Sequence, residues 1–257
     1  MGTNLIDVLE LETRGEDVFR GEPFTEEAAL TLYGGQVAAR ALWAAGQTVA
    51  PGRVPHSLHG YYLRGGDPSK PTDFRVDRDR DGGTYSARRV VALQDGEVIF
   101  SMATSFVQPV DGPDHQMVNP VPLTPPPEDG SAAPTGAVLF SIETREADQP
   151  NGPTRWPTRF WVRCTEAIGS DPLLQACVLT YLSDASTGLA GVPVISTYGP
   201  TIDHAVWFHR PANLETWHLL DLVPLTVASR RGLYTGSVLA IDGTVVASLA
   251  QEALFRT

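Results

Sequence analysis

The sequence predicts an α+β fold made of two repeats, each a central helix wrapped by an antiparallel sheet. Three observations predict it. The word Trp207-Phe208-His209-Arg210 echoes Tyr61-Tyr62-Leu63-Arg64 at an offset of 146 residues. The hairpin signals Asp95-Gly96 and Asp242-Gly243 recur at an offset of 147, each the dipeptide a tight turn between strands favours. Each half also reads as one helix followed by several strand-like runs. A near-constant offset across separate motifs is the mark of an internal duplication. One such sheet alone would leave a bare edge strand, so the halves are expected to pair edge to edge.

The elements follow in order. Asn4 or Thr3 caps a short helix, Leu5 to Leu11, with Leu5, Val8 and Leu9 on one face. Asp17 to Gly21 reads as a strand ending in a turn. Tyr33 to Val49 is an Ala-rich helix, apolar all round apart from Gln36 and Arg40, as a helix enclosed on most sides would be. Gly34-Gly35 at its start either leave backbone N–H groups open to a ligand oxygen or simply allow tight packing. Strand-like runs follow at Pro55 to Arg64, Thr72 to Arg78, Thr84 to Leu93 and Glu97 to Gln108.

Residues 109–135 hold eight prolines and no periodicity, so they read as an extended linker. The first repeat is then 1–108 and the second 136–257. In the second, Arg155 to Arg163 is strand-like. Ser170-Asp171-Pro172 opens a helix with a cap followed by proline at its first position, running from Leu173 to about Asp184. Strands are expected at Thr201 to Arg210, Leu219 to Pro224, Leu233 to Ile241 and Thr244 to Phe255.

Composition excludes several classes. The chain has 257 residues and is 42% hydrophobic, enough to bury a real core. A net charge of −11 lacks the basic footprint of nucleic-acid binding. No apolar run reaches the ~18 residues a membrane span needs, and Met1 to Asp7 lacks the basic start of a signal peptide. Cys164 and Cys177 form no CxxC pair, so both are expected to be buried reduced thiols in a cytoplasmic protein. A homo-oligomer is expected, with neither nucleic acid nor membrane as partner.

The words Tyr33-Gly34-Gly35-Gln36, His56-Ser57-Leu58-His59-Gly60-Tyr61-Tyr62-Leu63-Arg64-Gly65-Gly66-Asp67, Tyr85-Ser86-Ala87-Arg88-Arg89-Val90, Ser183-Asp184, Ile202 to Pro211 and Ala247-Ser248-Leu249-Ala250-Gln251-Glu252 run in order over nearly the whole chain. Through them the sequence resembles the acyl-CoA thioesterase II family, whose members have a double hotdog fold. The resemblance implies hydrolysis of an acyl-CoA to free acid and CoA, with no cofactor. It implies a catalytic Asp, Thr or Ser, and Gln holding the attacking water. At matching positions these are Asp184, Thr201 and Gln251. The loop from Ala185 to Pro200 is shorter than the family leads one to expect.

The residues themselves carry part of this reading. Asp184 continues the helical stripe Leu173, Cys177, Thr180 and lies near a helix C-terminus, where the dipole disfavours negative charge. Burial there raises a carboxylate toward a useful base; the alternative is a solvated Asp at a frayed helix end. Gln251 shares a strand face with Val245, Ala247, Leu249, Ala253 and Phe255, a lone amide among apolar residues. Such an amide either orients a water or oxyanion or makes a structural hydrogen bond. Thr201 can donate and accept, though alone it reads as an ordinary strand-start Thr.

The histidines do not read as metal ligands. By strand alternation His204 shares a face with Ile202, Val206 and Phe208 while His209 lies opposite, so a packed His204 is favoured. By the same alternation Asp203 shares a face with Thr201 and is a structural acceptor or a second carboxylate. No GxSxG elbow supports a Ser nucleophile. Arg88-Arg89 and Arg230-Arg231 are candidate phosphate anchors to which no ligand role is assigned. The rival functions are a hotdog enoyl-CoA hydratase, for which no motif is found, and a scaffold that binds acyl-CoA without hydrolysing it.

Overall fold

The structure is a computed structural model that describes residues 4–23, 31–117, 123–150 and 156–257. The first half holds α1 (Leu5–Leu9), β1 (Glu12–Gly15), β2 (Val18–Gly21), α2 (Gly34–Gly46), β3 (Val54–Tyr62), β4 (Thr72–Asp81), β5 (Tyr85–Gln94) and β6 (Glu97–Val107). The second holds β7 (Ile142–Glu146), β8 (Arg159–Cys164), α3 (Pro172–Ser183), β9 (Thr197–Phe208), β10 (His218–Ala228), β11 (Arg231–Ala240) and β12 (Val245–Arg256). Together the strands make one antiparallel sheet in the order β1-β2-β4-β5-β6-β3-β9-β12-β11-β10-β8-β7. The order is a mirror image about the β3·β9 seam, so each repeat supplies six strands in the same sequence from edge to centre.

The seam carries the duplication to single-residue register. His59 pairs with Ala205, its own counterpart at the offset of 146, while Ser57 pairs with Trp207 and Tyr61 with Asp203. A pseudo-two-fold axis therefore passes between His59 and Ala205. Edge-to-edge pairing of the halves is what the bare-edge argument required.

The two helices lie against each other, running in opposite directions. Gly35 near the start of α2 sits so close to α3 that a Cβ there would meet the Tyr181 carbonyl oxygen at 2.4 Å. Gly46 at the end of α2 would likewise meet the Leu173 side chain near the start of α3. The Ala-rich face of α2 permits this approach, and Ala38, Ala39, Ala41, Ala44 and Ala45 are all fully buried. The two polar residues of α2 are buried as well. Arg40 donates from Nε to the Val8 carbonyl at 2.6 Å, and burial lowers its pKa to about 10.

Several element boundaries differ from the sequence reading. The first helix ends at Leu9, and β1 was not anticipated because all four of its residues are exposed and carry no alternation. The Asn4 side chain caps that helix by accepting from Asp7 N–H at 2.9 Å; Thr3 lies outside the described residues. β7 was also missed, its burial being intermediate on both faces. β8 begins at Arg159, and residue 155, the expected start, lies outside the described residues. The α3 start follows the predicted cap: Asp171 Oδ1 accepts from Leu173 N–H at 3.0 Å. Both cysteines are free and buried. Among the described residues no helix is long and apolar enough to cross a membrane.

Candidate active site

The site forms where the end of α3 meets the start of α2. Asp184 caps the C-terminus of α3. Across from it, α2 opens with no side-chain cap on Tyr33, leaving its first N–H groups unclaimed by the chain's own cap. The Gly35 N–H goes to the Asp184 carboxylate. The glycine pair therefore allows the tight packing its sequence suggested, while the Gly35 N–H goes to one of the protein's own carboxylates and not to a ligand oxygen. Tyr33 ties the junction by donating its hydroxyl to the Tyr181 carbonyl at 2.6 Å, satisfying an orphan carbonyl at the α3 C-terminus.

Asp184, Thr201 and Gln251 converge. Gln251 Nε2 donates to Asp184 Oδ1 at 2.7 Å and to Thr201 Oγ1 at 2.6 Å, and Thr201 Oγ1 donates to Asp184 Oδ1 at 3.2 Å. Gln251 is 1% exposed. The amide orientation follows from its neighbours: a carboxylate accepts only, so the NH₂ end must face Asp184.

A β-bulge makes the convergence. β12 pairs Glu252 with Asp203 and then Ala253 with Thr201, skipping Ile202. The extra residue resets the alternation, so Thr201 joins His204 and Gln251 on the inner face. This corrects the sequence reading on one point: Thr201 does not share a face with Asp203, while His204 is buried on the face of Val206 as expected. Asp203 lies on the other side, where its Oδ1 accepts from Glu252 N–H at 3.0 Å as a structural acceptor.

His204 extends the network in a way the sequence did not reveal. It pairs directly across the ladder from Gln251 and is 1% exposed. Its Nδ1 lies 2.5 Å from Gln251 Oε1, and its Nε2 lies 2.7 Å from Ser183 Oγ. Because the Gln251 oxygen can only accept, Nδ1 carries the proton, and burial lowers the His204 pKa so that the ring stays neutral. His204 thus holds the Gln251 amide, which in turn holds Thr201 and Asp184. The available signal was its register opposite Gln251, invisible without the bulge and the strand pairing. His209 points outward to Ser248 Oγ at 2.9 Å.

The electrostatics are those of an enclosed carboxylate. Burial raises the Asp184 pKa, opposed by nearby His204 and by hydrogen bonds from Gln251, Thr201 and the Gly35 N–H. The carboxylate borders a cavity of about 700 Å³ whose walls include Tyr33, Gln36, Tyr62, Phe100, Tyr234 and Arg64. Arg88 is corrected as a phosphate anchor: it is 1% exposed and bonded to Thr48, Asp81 and the Arg80 and Ala87 carbonyls. Among the described residues no cluster of three or more His, Cys, Asp or Glu is arranged to hold a metal ion.

Comparison with known proteins agrees with this architecture. Residues 24–107 match the acyl-CoA thioesterase N-terminal domain, and residues 116–255 match the acyl-CoA thioesterase C-terminal domain. The chain is 32% identical to acyl-CoA thioesterase 2 of Haemophilus influenzae, over 98% of this chain and 97% of that protein. It superposes on acyl-CoA thioesterase II TesB2 of Mycobacterium marinum with a TM-score of 0.78 and 34% identity, covering 98% of this chain and 96% of that one. A hot dog fold protein from Alicyclobacillus acidocaldarius aligns over 98% of this chain and 97% of its own with a TM-score of 0.75 at 18% identity, a likeness of fold alone. The chain belongs to the acyl-CoA thioesterase family and has its double hotdog fold.

Proposed function

We propose that the chain hydrolyses acyl-CoA thioesters to free fatty acid and CoA, with a water activated by Asp184 and held by Thr201 and Gln251. The observation that carries this is the closed triangle of hydrogen bonds among the three side chains at the rim of the cavity. Thr201 and Gln251 both engage Oδ1, while Oδ2 lies beside Gly34 at the start of α2. The 3.2 Å Thr201–Asp184 contact is the longest of the three and the one a water can replace most easily.

The chemistry follows from those positions. Water loses a proton to Asp184 as its oxygen bonds to the thioester carbon, and the carbonyl π pair moves onto oxygen. Collapse restores the carbonyl and breaks the carbon–sulfur bond. The departing thiolate takes the proton held by Asp184. A raised Asp184 pKa suits both halves, because the carboxylate must accept a proton and then return it. The domain reading joins this proposal: residues 1–108 and 136–257 act as two repeats joined by 109–135, and the second carries the reacting side chains.

The test is thiol release from a saturated acyl-CoA series running from acetyl- to palmitoyl-CoA. Turnover is expected with at least one chain length, and Asp184→Asn is expected to remove it. Tight binding of these substrates with no thiol released by any of them would instead make this a binding protein.

A further inference from the structure

The duplication supplies an internal control for His204. Its counterpart 146 positions earlier is Leu58, which pairs with Thr104 as His204 pairs with Gln251. Leu58 is fully buried and His204 is 1% exposed. The fold is thus satisfied by an apolar side chain at this place in the ladder. A buried imidazole is the costlier choice, because both of its nitrogens need partners. His204 and Gln251 occur together in one repeat and are both absent from the same places in the other, which points to a joint task.

Their hydrogen bonds define it. Ser183 closes α3 and has one hydroxyl proton, with the Thr180 carbonyl at 2.8 Å and His204 Nε2 at 2.7 Å in reach. The ring proton sits on Nδ1, 2.5 Å from Gln251 Oε1. A second proton on Nε2 would make a buried cation, which burial disfavours. Nε2 is therefore bare, and the Ser183 proton goes to it. Donation from Ser183 to His204 to Gln251 Oε1 then runs in one direction and turns the Gln251 N–H bonds toward Asp184 and Thr201. An ionised Asp184 enforces the same orientation, since a carboxylate only accepts. A protonated Asp184 does not, because its O–H can donate to an amide oxygen. Thr201 can donate or accept and imposes nothing. Once Asp184 holds a proton, His204 alone keeps the amide from turning over.

We propose that His204, with its tautomer set by Ser183, is a positioning residue that holds the Gln251 N–H bonds on Asp184 and Thr201 while Asp184 carries the proton taken from water. This rests on Asp184 acting as the base. With the His204 donor gone, the amide can turn its oxygen to Asp184 and accept from the protonated form. That favours the acid over the carboxylate, so the Asp184 pKa rises and the acid limb of the kcat/KM profile moves to higher pH. The other titratable groups facing the pair are phenols and one carboxylate. Tyr33 before α2, Tyr62 on β3 and Tyr234 on β11 keep their protons, because burial pushes each pKa well up. Tyr181 on α3 accepts from the Phe140 N–H at 3.2 Å. Asp203 on β9 lies on the other face of the sheet, accepting from the Glu252 N–H.

The experiment uses the full chain and the acyl-CoA of the series that it hydrolyses fastest. Asparagine carries its amide on Cγ, where histidine carries Nδ1, whereas glutamine carries it one carbon further out, near Nε2. His204→Asn can therefore donate to Gln251 Oε1 and His204→Gln cannot. His204→Leu copies the Leu58 position and is expected to fold. His204→Leu and His204→Gln should lower kcat about 100-fold with KM held, the loss that misplacing a reacting group brings. Both should move the acid limb to higher pH. His204→Asn should regain most of the kcat and the parent acid limb. The two polar variants both lose the imidazole, so any effect of ring charge on Asp184 is common to them. Ser183→Ala should lower kcat by less, and the imidazole nitrogen NMR spectrum of the parent should place the His204 proton on Nδ1. Equal losses in His204→Asn and His204→Gln, full kcat in His204→Leu, an unmoved acid limb or a proton on Nε2 would each overturn the assignment. Asp184→Asn measured in parallel separates the two readings. Full activity there refutes the base, whereas an inactive Asp184→Asn beside a fully active His204→Leu refutes the positioning role alone.

Discussion

The two ends of the helix pair were built from one plan and have been put to opposite uses. At the active end, Gln251, His204 and Thr201 occupy the ladder positions that Thr104, Leu58 and Pro55 occupy in the first repeat. Even the bulge is duplicated: β3 skips His56 between Pro55 and Ser57 as β9 skips Ile202. Tyr234 pairs with Gln251 where Arg88 pairs with Thr104. The helix C-caps are Asp184 in one repeat and Gln47 in the other.

The counterpart end is largely occupied, with a smaller cavity of about 340 Å³ left beside Gln47, Arg53 and Arg88. The Arg88 guanidinium lies in it, donating to Thr48 Oγ1 at 2.8 Å, to the Thr48 carbonyl at 2.9 Å and to Asp81 at 2.8 Å. Thr104 turns its hydroxyl to the Ser57 carbonyl. The helix facing that end opens with Asp171 as cap and Pro172 as first residue, so its leading N–H groups are satisfied or absent. The Arg88, Thr48 and Thr104 side chains there all have structural partners, whereas the other end keeps a buried carboxylate beside a larger cavity. The scaffold is therefore neutral with respect to chemistry. In the function proposed above, a few side chains set the reacting end apart from its counterpart.

That contrast can be broken in several ways. The largest effect is expected from Asp184→Asn, which should lower kcat by about 10³-fold or more, as loss of a general base does, while Gln47→Glu at the counterpart cap leaves kcat unchanged; thiol-release kinetics decide it. The same Asp184 variant should be more stable than the parent at neutral pH. Asp184 has a folded pKa raised above its unfolded value, so its contribution to stability is present below the unfolded pKa and lost as pH rises through the folded one. Melting curves across pH should show the gain of Asp184→Asn shrinking toward zero in acid. A uniform shift at all pH would contradict it.

The pH–rate profile sharpens the comparison next. A base with a raised pKa is protonated sooner than an ordinary aspartate, so kcat/KM should fall on the acid side with a midpoint above 3.8. A midpoint at or below that value would mean that Asp184 is not the titrating group. Arg88→Met tests the silent end. Removing a buried cation that holds Thr48 and the half-exposed Asp81 should lower stability, read by chemical denaturation, with kcat of the folded protein preserved. The smallest contrast is between two glycines. Gly35→Ala presses on the Tyr181 carbonyl and should lower both stability and kcat, whereas Gly46→Ala meets only the flexible Leu173 side chain. The ~1 kcal/mol helix gain of alanine over glycine should offset most of that contact. Melting temperatures and rates of the pair show whether the crossing matters equally at both ends.

Much of this was legible beforehand for identifiable reasons. The α3 start was readable because Asp171-Pro172 is a local capping signal needing no tertiary partner. Gln251 stood out because strand alternation exposes a polar residue on an apolar face, and β12 keeps that alternation through the site. Thr201 was assigned to the face of Asp203 because a bulge shifts alternation by one residue without changing composition. β1 and β7 escaped notice because short edge strands have no buried face to impose a period. Gln36 read as a polar interruption in an enclosed helix, and nothing local says that such a residue is left without a partner.

By itself the sequence determined the duplication, the helix-and-sheet content, the resemblance to one family and the identity of Asp184, Thr201 and Gln251 as candidates. The duplication and element content follow from periodicity, capping and recurring words, which are properties of neighbouring residues along the chain, and the three candidates are what the resemblance implies. Only the tertiary structure decided which helix end is open and which is plugged by Arg88, how His204 reaches Gln251, and that Gln36 and Tyr62 face one cavity with Asp184. The reason is that these relations join residues far apart in the chain, from 26 positions (Gln36 to Tyr62) to 148 (Gln36 to Asp184). They are set by strand register, the paired bulges and the antiparallel contact of two helices, and by none of the local preferences that a single sequence carries.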